Sequence, residues 1–492
     1  MSLCRTFPKK KPNNSYKDFK NIDMETLELA DIQGYIVRGY KYMQYSRYVL
    51  LTVTDPVAAR EFIRTNEGAI TTSKHHEKTH CLNIAFTAAG LRALGLKDSN
   101  VQNFTREFRE GMTTPHRRRL LGDFDSSAPE LWRWGGPNNE EVHILLMVFG
   151  VDKNAALTYY QQLRPDPGFS GLKEISQLDG QTLPQNREHF GFRDGISQPI
   201  IKGSGRTGPA NDFVNAGEFV MGYKNEYEVF PDTPILAEEQ GNTAILPVDP
   251  SNTGKKDLGR NGTYMVLRQL QQDVKGYWTF LNEKTKNPDG SVNADESIKL
   301  AAKMMGRWPS GAPVVKYPDK DPGGLSDDDN FGYSDGDTAG LKCPFGSHLR
   351  RTNPRDSFED NGPSESLRLS RRHRIIRRAR LYGDPYAGSP TQFTPEGEVG
   401  LLFSCFNADI SRQYEFIQYT WANYPKFKQL YNDPDPIIGV RENPAPGTEQ
   451  NFTLPGEPVN KYITGLQRFV TCKGGAYFFF PSLTAIRYLT TL

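Results

Sequence analysis

No apolar stretch of the 492-residue chain reaches the roughly 18 residues that a membrane span needs. The longest candidate, Ile144-Leu-Leu-Met-Val-Phe149, has strand length. Cysteine is scarce: Cys4, Cys81, Cys343, Cys405 and Cys472 are odd in number and scattered, with no CxxC or CxxCH. That spacing argues against a disulfide framework, a cysteine zinc site and covalent haem attachment, and it fits reduced cytosolic thiols. An excess of either charge is also missing. Lys+Arg 60 against Asp+Glu 58 leaves +2, which excludes a general polyanion binder. There are eight histidines, and none has zinc-site spacing with a supporting carboxylate. GxSxG, a post-strand GxGxxG and GxxxxGK[ST] are absent, which weakens hydrolase, Rossmann and P-loop readings. The basic N-terminus is followed by no apolar signal-peptide core, so the chain reads as cytoplasmic, with secretion left open for a mature form. Turn residues are plentiful: Gly 45 and Pro 34 argue against a long helical bundle or coiled coil.

Residues 1–25 are polar and rich in Pro, Lys and Asn, and read as an N-terminal arm. Beyond them the hydrophobic period alternates between strand and helix. Tyr48–Thr54, Cys81–Phe86 and Val142–Phe149 are predicted strands; Val57–Ile63, Ala88–Leu94 and Asn154–Leu163 are predicted helices. This order is ferredoxin-like. It returns as strand Gly262–Leu267, helix Gln269–Lys284, strand Val399–Phe406 and helix Ser411–Tyr424. The prediction is therefore α+β, with two related halves over 26–205 and 206–492 and long loop insertions. No sequence-level repeat is visible. Segment Lys316–Gly340 is acidic and Gly-rich, and reads as a solvated loop; it lacks the closing Glu of a calcium loop.

Three constellations carry the chemistry. In His189-Phe-Gly-Phe-Arg-Asp-Gly-Ile-Ser-Gln-Pro199, Gly191 and Gly195 bracket an Arg–Asp pair, so a carboxylate can approach a flat ligand without backbone clash. The plainer reading is a capped turn. In Cys343-Pro-Phe-Gly-Ser-His348-Leu-Arg-Arg-Thr-Asn-Pro-Arg355, a lone histidine precedes arginines suited to an anionic neighbour. In Arg371-Arg-His-Arg-Ile-Ile-Arg-Arg-Ala-Arg380, embedded isoleucines favour a strand with alternate arginines facing inward. A nucleic-acid patch is the competing reading there, and the net charge disfavours it.

Together and in this order, these segments resemble the dye-decolorising peroxidase family, from about residue 30 to the C-terminus. Gly191-Phe-Arg-Asp-Gly195 resembles the family's GxxDG signature and His348–Arg355 its proximal-histidine segment. Ile376-Arg377 resembles the distal-arginine strand; Gly306-Arg-Trp-Pro-Ser-Gly311 and Gly400-Leu-Leu-Phe403 are similar too. The resemblance implies two ferredoxin-like halves in a dimeric α+β barrel of the chlorite-dismutase-like superfamily, with non-covalent haem b in the C-terminal half. It implies His348 as the axial iron ligand, Asp194 as the distal acid–base and Arg377 as its partner. Arg355 would meet a haem propionate, Ile196 and Ser197 would lie at the haem edge, and Leu401 and Phe403 would line the distal pocket. Asp435 is the implied proximal carboxylate, with Asp409 as the runner-up. Trp421 and Tyr382 match surface relays to bulky donors. The implied reaction uses hydrogen peroxide to oxidise phenolic or dye-like aromatics through a ferryl intermediate. A haem- or porphyrin-binding protein, perhaps in iron handling, is the alternative. Neither nucleic acid nor membrane is an expected partner, and homo-oligomerisation stays open.

Overall fold

The first four strands pair as one antiparallel sheet. They are β1 (Tyr45–Val53), β2 (His80–Phe86), β3 (Ile144–Gly150) and β4 (Leu172–Gln181), in the spatial order β2-β3-β1-β4. Helix α1 (Pro56–Asn66) follows β1, and α2 (Lys153–Leu163) follows β3. Each starts where an aspartate side chain, Asp55 or Asp152, accepts from backbone N–H groups of the first turn. The computed structural model describes residues 26–251, 253–358, 362–428, 430–441 and 450–492. The expected N-terminal arm and Cys4 lie outside the described residues.

A second sheet repeats the pattern. It contains β5 (Thr263–Gln272), β6 (Ile376–Arg377), β7 (Arg380–Tyr382), β8 (Gly400–Asn407) and β9 (Val470–Phe480). Both β6 and β7 pair with β8, so they are two pieces of one strand position. The order β9-β5-β8-β6/β7 matches that of the first sheet. Helix α3 (Val274–Thr285) follows β5, and π-helical turns over Ser411–Glu415 and Ile417–Asn423 follow β8. The two sheets meet through Phe86↔Phe479 at one seam and Gln181↔Leu381 at the other. Those seams close a barrel from two ferredoxin-like sheets.

Strand alternation sorts the core into layers. Tyr48, Leu50, Leu145, Met147, Phe149, Leu402, Phe406, Phe478 and Phe480 share one buried cluster. The intervening Val49, Leu51, Ile144, Leu146 and Val148 join another, which includes Phe62 of α1 and Tyr160 of α2. With both faces covered, β3 is buried at every position, which explains its unbroken apolar run.

Two sequence expectations need correction. Gln269–Gln272, expected to begin a helix, extends β5, with Leu270 paired to Leu401. The helix starts at Val274, where Asp273 accepts from Gly276 N–H. The spacing of Leu270 and Val274 mimics a helical face, but cross-strand hydrogen bonds hold Leu270 in the sheet. The helix expected over Ser411–Tyr424 is present in π geometry, a wider coil that concentrates at functional sites.

Phe149 is fully buried, with ring centroids 4.5 Å from Tyr35 and 5.0 Å from Tyr40. Phe149→Ala is expected to cost about 3–5 kcal/mol, read as a lower urea midpoint with an unchanged denaturant slope. A shift worth less than ~1 kcal/mol would contradict its place in the packed interior.

Candidate active site

The second sheet carries a cavity of about 570 Å³. Along β8, Leu401 and Phe403 line it, while Leu402 and Phe406 on the other face fill the barrel. Arg268 and Leu270 of β5 and Val470 of β9 extend this wall. Helix α4 (Ala294–Met305) contributes Met305, and the short helix α5 (His348–Thr352) contributes His348, Leu349 and Thr352. The 186–198 loop adds Asp194, Ile196 and Ser197.

His348 Nδ1 lies 2.9 Å from Asp435 Oδ2. Asp435 is fully buried, and its Oδ1 accepts from the Ile437 and Ile438 N–H groups at 2.9 and 3.0 Å. Burial alone would raise the Asp435 carboxyl. The charge and hydrogen bond of His348, the Arg351 charge and the Ile438 N–H outweigh it and hold the pKa below its ordinary value. An ionised Asp435 only accepts, so Nδ1 carries a proton toward it, and Nε2 is the ring nitrogen left for another partner. Asp409 is elsewhere: it accepts from Arg412 N–H and Nε, and 40% of its side chain is exposed.

Asp194 Oδ1 accepts from Arg377 Nη1 at 3.3 Å. Arg377 Nη2 donates to Ser197 O at 3.2 Å, and Gln198 accepts from the Arg377 N–H. The preceding turn needs glycine: Gly191 has φ +101°, and a Cβ there would sit 2.1 Å from Gly388 O.

Arg355, expected beside an anionic group in the cavity, sits behind the lining. Asp329 pairs with its guanidinium, Phe331 lies beneath it at 4.0 Å, and Ser197 Oγ accepts from it at 3.3 Å. Asp329 also pairs with Arg307, and Asp337 with Arg350. The acidic segment 316–340 is thus not wholly solvated, because Asp329 and Asp337 meet the buried Arg307, Arg355 and Arg350. Sequence reasoning missed Arg374, which does line the cavity. It is 9% exposed, and no hydrogen bond or ion pair of its guanidinium occurs among the described residues. Burial first, then the nearby Arg355 charge, pushes its pKa down to about 10. Only its place in the 371–380 run signalled it. Arg374, Arg378 and Arg380 are buried, so that run is not a solvent-facing basic patch.

Trp421, matched to a surface relay, is 1% exposed and packed against Phe358, His373 and Phe416. The exposed rings nearby in sequence are Tyr419 and Tyr424. Tyr382 is half-buried, and its hydroxyl donates to Glu398 at 3.0 Å.

A flat, largely apolar prosthetic group fits this chamber. The volume lies in the usual ligand-pocket range of about 300–1,000 Å³, its apolar wall includes Leu270, Leu401, Phe403 and Ile437, and it offers one oriented imidazole. The unpartnered Arg374 suits a carboxylate on that group. No helix among the described residues is long and apolar enough to cross a membrane.

Comparison with known proteins identifies relatives by sequence and by fold. Residues 31–184 match the family model described as the DyP dimeric alpha+beta barrel domain. Peroxidase 2 of Mycetinis scorodonius is 30% identical over 490 residues, covering 94% of this chain and 87% of the relative. A dye-decolorizing peroxidase of Mycena epipterygia is 31% identical over 443 residues, covering 82% and 75%. A solved dye-decolorizing peroxidase in complex with 2,6-dimethoxyphenol aligns with a TM-score of 0.73 at 26% identity, over 95% of this chain and 100% of that one.

The Asp435 carboxyl is lowered in the folded state, so its stabilising effect is present above the unfolded pKa of about 3.9 and is lost as pH falls through the folded value. Asp435→Asn should cost about 1–3 kcal/mol at neutral pH. The gap to wild type should narrow below about pH 4. Denaturant melts across pH check this, and a gap that stays constant into acid would contradict it.

Proposed function

The chain belongs to the dye-decolorising peroxidase family, and we propose that it is a haem b peroxidase using hydrogen peroxide to oxidise phenolic and dye-like donors. The observation that carries the proposal is one cavity lined by both an Asp435-held histidine and an Asp194–Arg377 pair. The relative crystallised with 2,6-dimethoxyphenol supports the phenolic donor class.

When bound, non-covalent haem supplies the iron that passes electrons from donor to peroxide. His348 would hold that iron through Nε2. Asp435, by accepting from Nδ1–H, fixes the ring's orientation and makes it a stronger electron donor. Asp194 would take a proton from one oxygen of hydrogen peroxide and return it to the other, which leaves as water. The Arg377 guanidinium stabilises the negative charge growing on that leaving oxygen. Leu401 and Phe403 keep bulk water from the reacting oxygens. Arg374 would pair with a haem carboxylate, in place of Arg355, whose charge Asp329 already meets. Small donors enter the cavity, whereas a bulky dye would be oxidised through Trp421 as an inner step, since its ring does not reach solvent.

His348→Ala should lose the Soret band of the reconstituted protein. Asp194→Asn and Arg377→Leu should keep haem, and at least one should slow the stopped-flow reaction with peroxide by about 10²-fold or more. Wild-type rates in both would remove the pair from proton transfer and return weight to a haem-carrying role.

Arg374→Ala should weaken haem binding by about tenfold or more while leaving haem dimethyl ester, which lacks the carboxylates, almost unaffected. Equal losses for both ligands in Soret titrations would deny it a carboxylate partner.

A further inference from the structure

The Asp194 N–H donates to Asn186 O at 2.8 Å, but its side chain is loosely held. Its side chain is 40% exposed, its hydrogen bond to Arg377 is long at 3.3 Å, and a Cβ on the following Gly195 would touch nothing within 4 Å. The backbone behind it is fastened firmly. Glu188 N–H donates to Phe192 O at 2.8 Å, and Gly191 N–H donates to Glu188 O at 2.8 Å. The Glu188 carboxylate spans the same turn. Oε1 accepts from Phe192 N–H at 2.9 Å; Oε2 accepts from Phe190 N–H at 2.9 Å and from Gln272 Nε2 at 2.7 Å. Gln272 ends β5, the strand that places Arg268 and Leu270 in the cavity. The neighbouring His189 is buried, and its ring nitrogens meet Tyr386 O at 2.7 Å and Tyr382 O at 3.0 Å.

We propose that Glu188 is a positioning residue for peroxide cleavage, holding the 190–194 turn on the barrel so that Asp194 keeps its place beside Arg377. This rests on the assignment of Asp194 to proton transfer. The geometry calls for an anion: three N–H donors converge on two oxygens, and a protonated carboxyl would turn its own O–H toward one of them. The titratable groups facing Glu188 are Asp194 on its own loop and the Tyr277 phenol of α3. No ion pair involving Glu188 occurs among the described residues. Burial, opposed by the Phe190 and Phe192 N–H groups and Gln272 and assisted by the Asp194 charge, pushes its pKa up to about 7. Around neutrality, then, the anchor changes between a form that accepts from all three donors and one that does not.

Amide hydrogen exchange on the intact chain, with and without haem, tests the anchor apart from the chemistry. Glu188→Gln should speed exchange at Phe190 and Phe192 about tenfold near pH 8, after correction for intrinsic rates. The wild type should approach the variant near pH 5. In the holoprotein, the wild-type-to-variant ratio of rate constants for reaction with hydrogen peroxide should fall in parallel, from about tenfold to about one. A ratio that stays constant across pH marks a merely structural role and overturns the proposal, as does unchanged exchange. Gln272→Leu is the second variant, should Glu188→Gln fail to fold. With one donor removed, the midpoint of the pH profile should move up, and an unmoved midpoint overturns the proposal. If Asp194→Asn leaves the peroxide rate untouched while the exchange results hold, the failure lies with the role of Asp194, not with the anchor.

Discussion

A carboxylate with no exposed surface must find all its stabilisation in the protein, and Asp435 shows how much structure that requires. Its oxygens take the His348 Nδ1–H and the backbone N–H groups of Ile437 and Ile438. Arg441 donates to its backbone carbonyl at 2.6 Å, and Arg351 adds charge while donating to Trp421 O and Asp433 O. Leaving such a buried charge unpaired costs several kcal/mol. The 435–438 turn, α5 and the end of the π-helical segment are therefore held in one arrangement. The histidine ring's orientation follows from the same contact. So does the cavity wall, because His348, Ile437 and Ile438 all line it.

The two sheets share a strand order, and the chamber holding His348 lies against the second. The difference lies in what covers the outer face. In the first half, Val49, Leu51, Ile144, Leu146 and Val148 meet α1 and α2 in a closed apolar layer. In the second half, α3 packs with α4 in a separate cluster. The long connection between β5 and β6 brings α5 over the sheet instead. Leu401, Phe403, Leu270 and Arg268 then face a chamber rather than a helix. The same strand order thus backs a closed apolar layer in the first half and a chamber in the second, to which the first half contributes Asp194, Ile196 and Ser197.

Much of this was legible in the residues themselves. The apolar run of β3 announced a buried strand, and Gly191 and Gly195 announced a turn, at whose Gly191 a side chain would meet Gly388 O. His348 stood out because few histidines compete for its role. What local reading did not see shares a physical origin: each case depends on a partner distant in sequence. Leu270 is paired with Leu401, Arg355 is neutralised by Asp329, and Trp421 is covered by Phe358 and His373. Local periodicity and local charge say nothing of such partners. Residue type made Arg355 and Arg374 equivalent candidates for an anion; only the carboxylate delivered by the 316–340 loop separates them.

The 374–381 stretch shows how one strand serves both faces of the barrel. Most of the stretch borders the cavity, Arg378 and Arg380 included, while Ile376 fills the barrel interior. Arg378 and Arg380 reach carbonyl oxygens: Arg378 donates to Tyr35 O and Ile36 O, and Arg380 to Tyr40 O. Those acceptors belong to the first half, so the strand that aims Arg377 at Asp194 also ties the halves together where strand pairing is thin. At that seam only Gln181↔Leu381 joins the sheets among the described residues. Carbonyl dipoles stabilise a buried guanidinium without cancelling its charge, whereas Asp194 cancels that of Arg377. The strand therefore carries two arginines tied to backbone carbonyls beside one paired with a carboxylate. Under the proposed proton transfer at Asp194, the seam keeps its hold, because its acceptors are backbone carbonyls that carry no titratable proton.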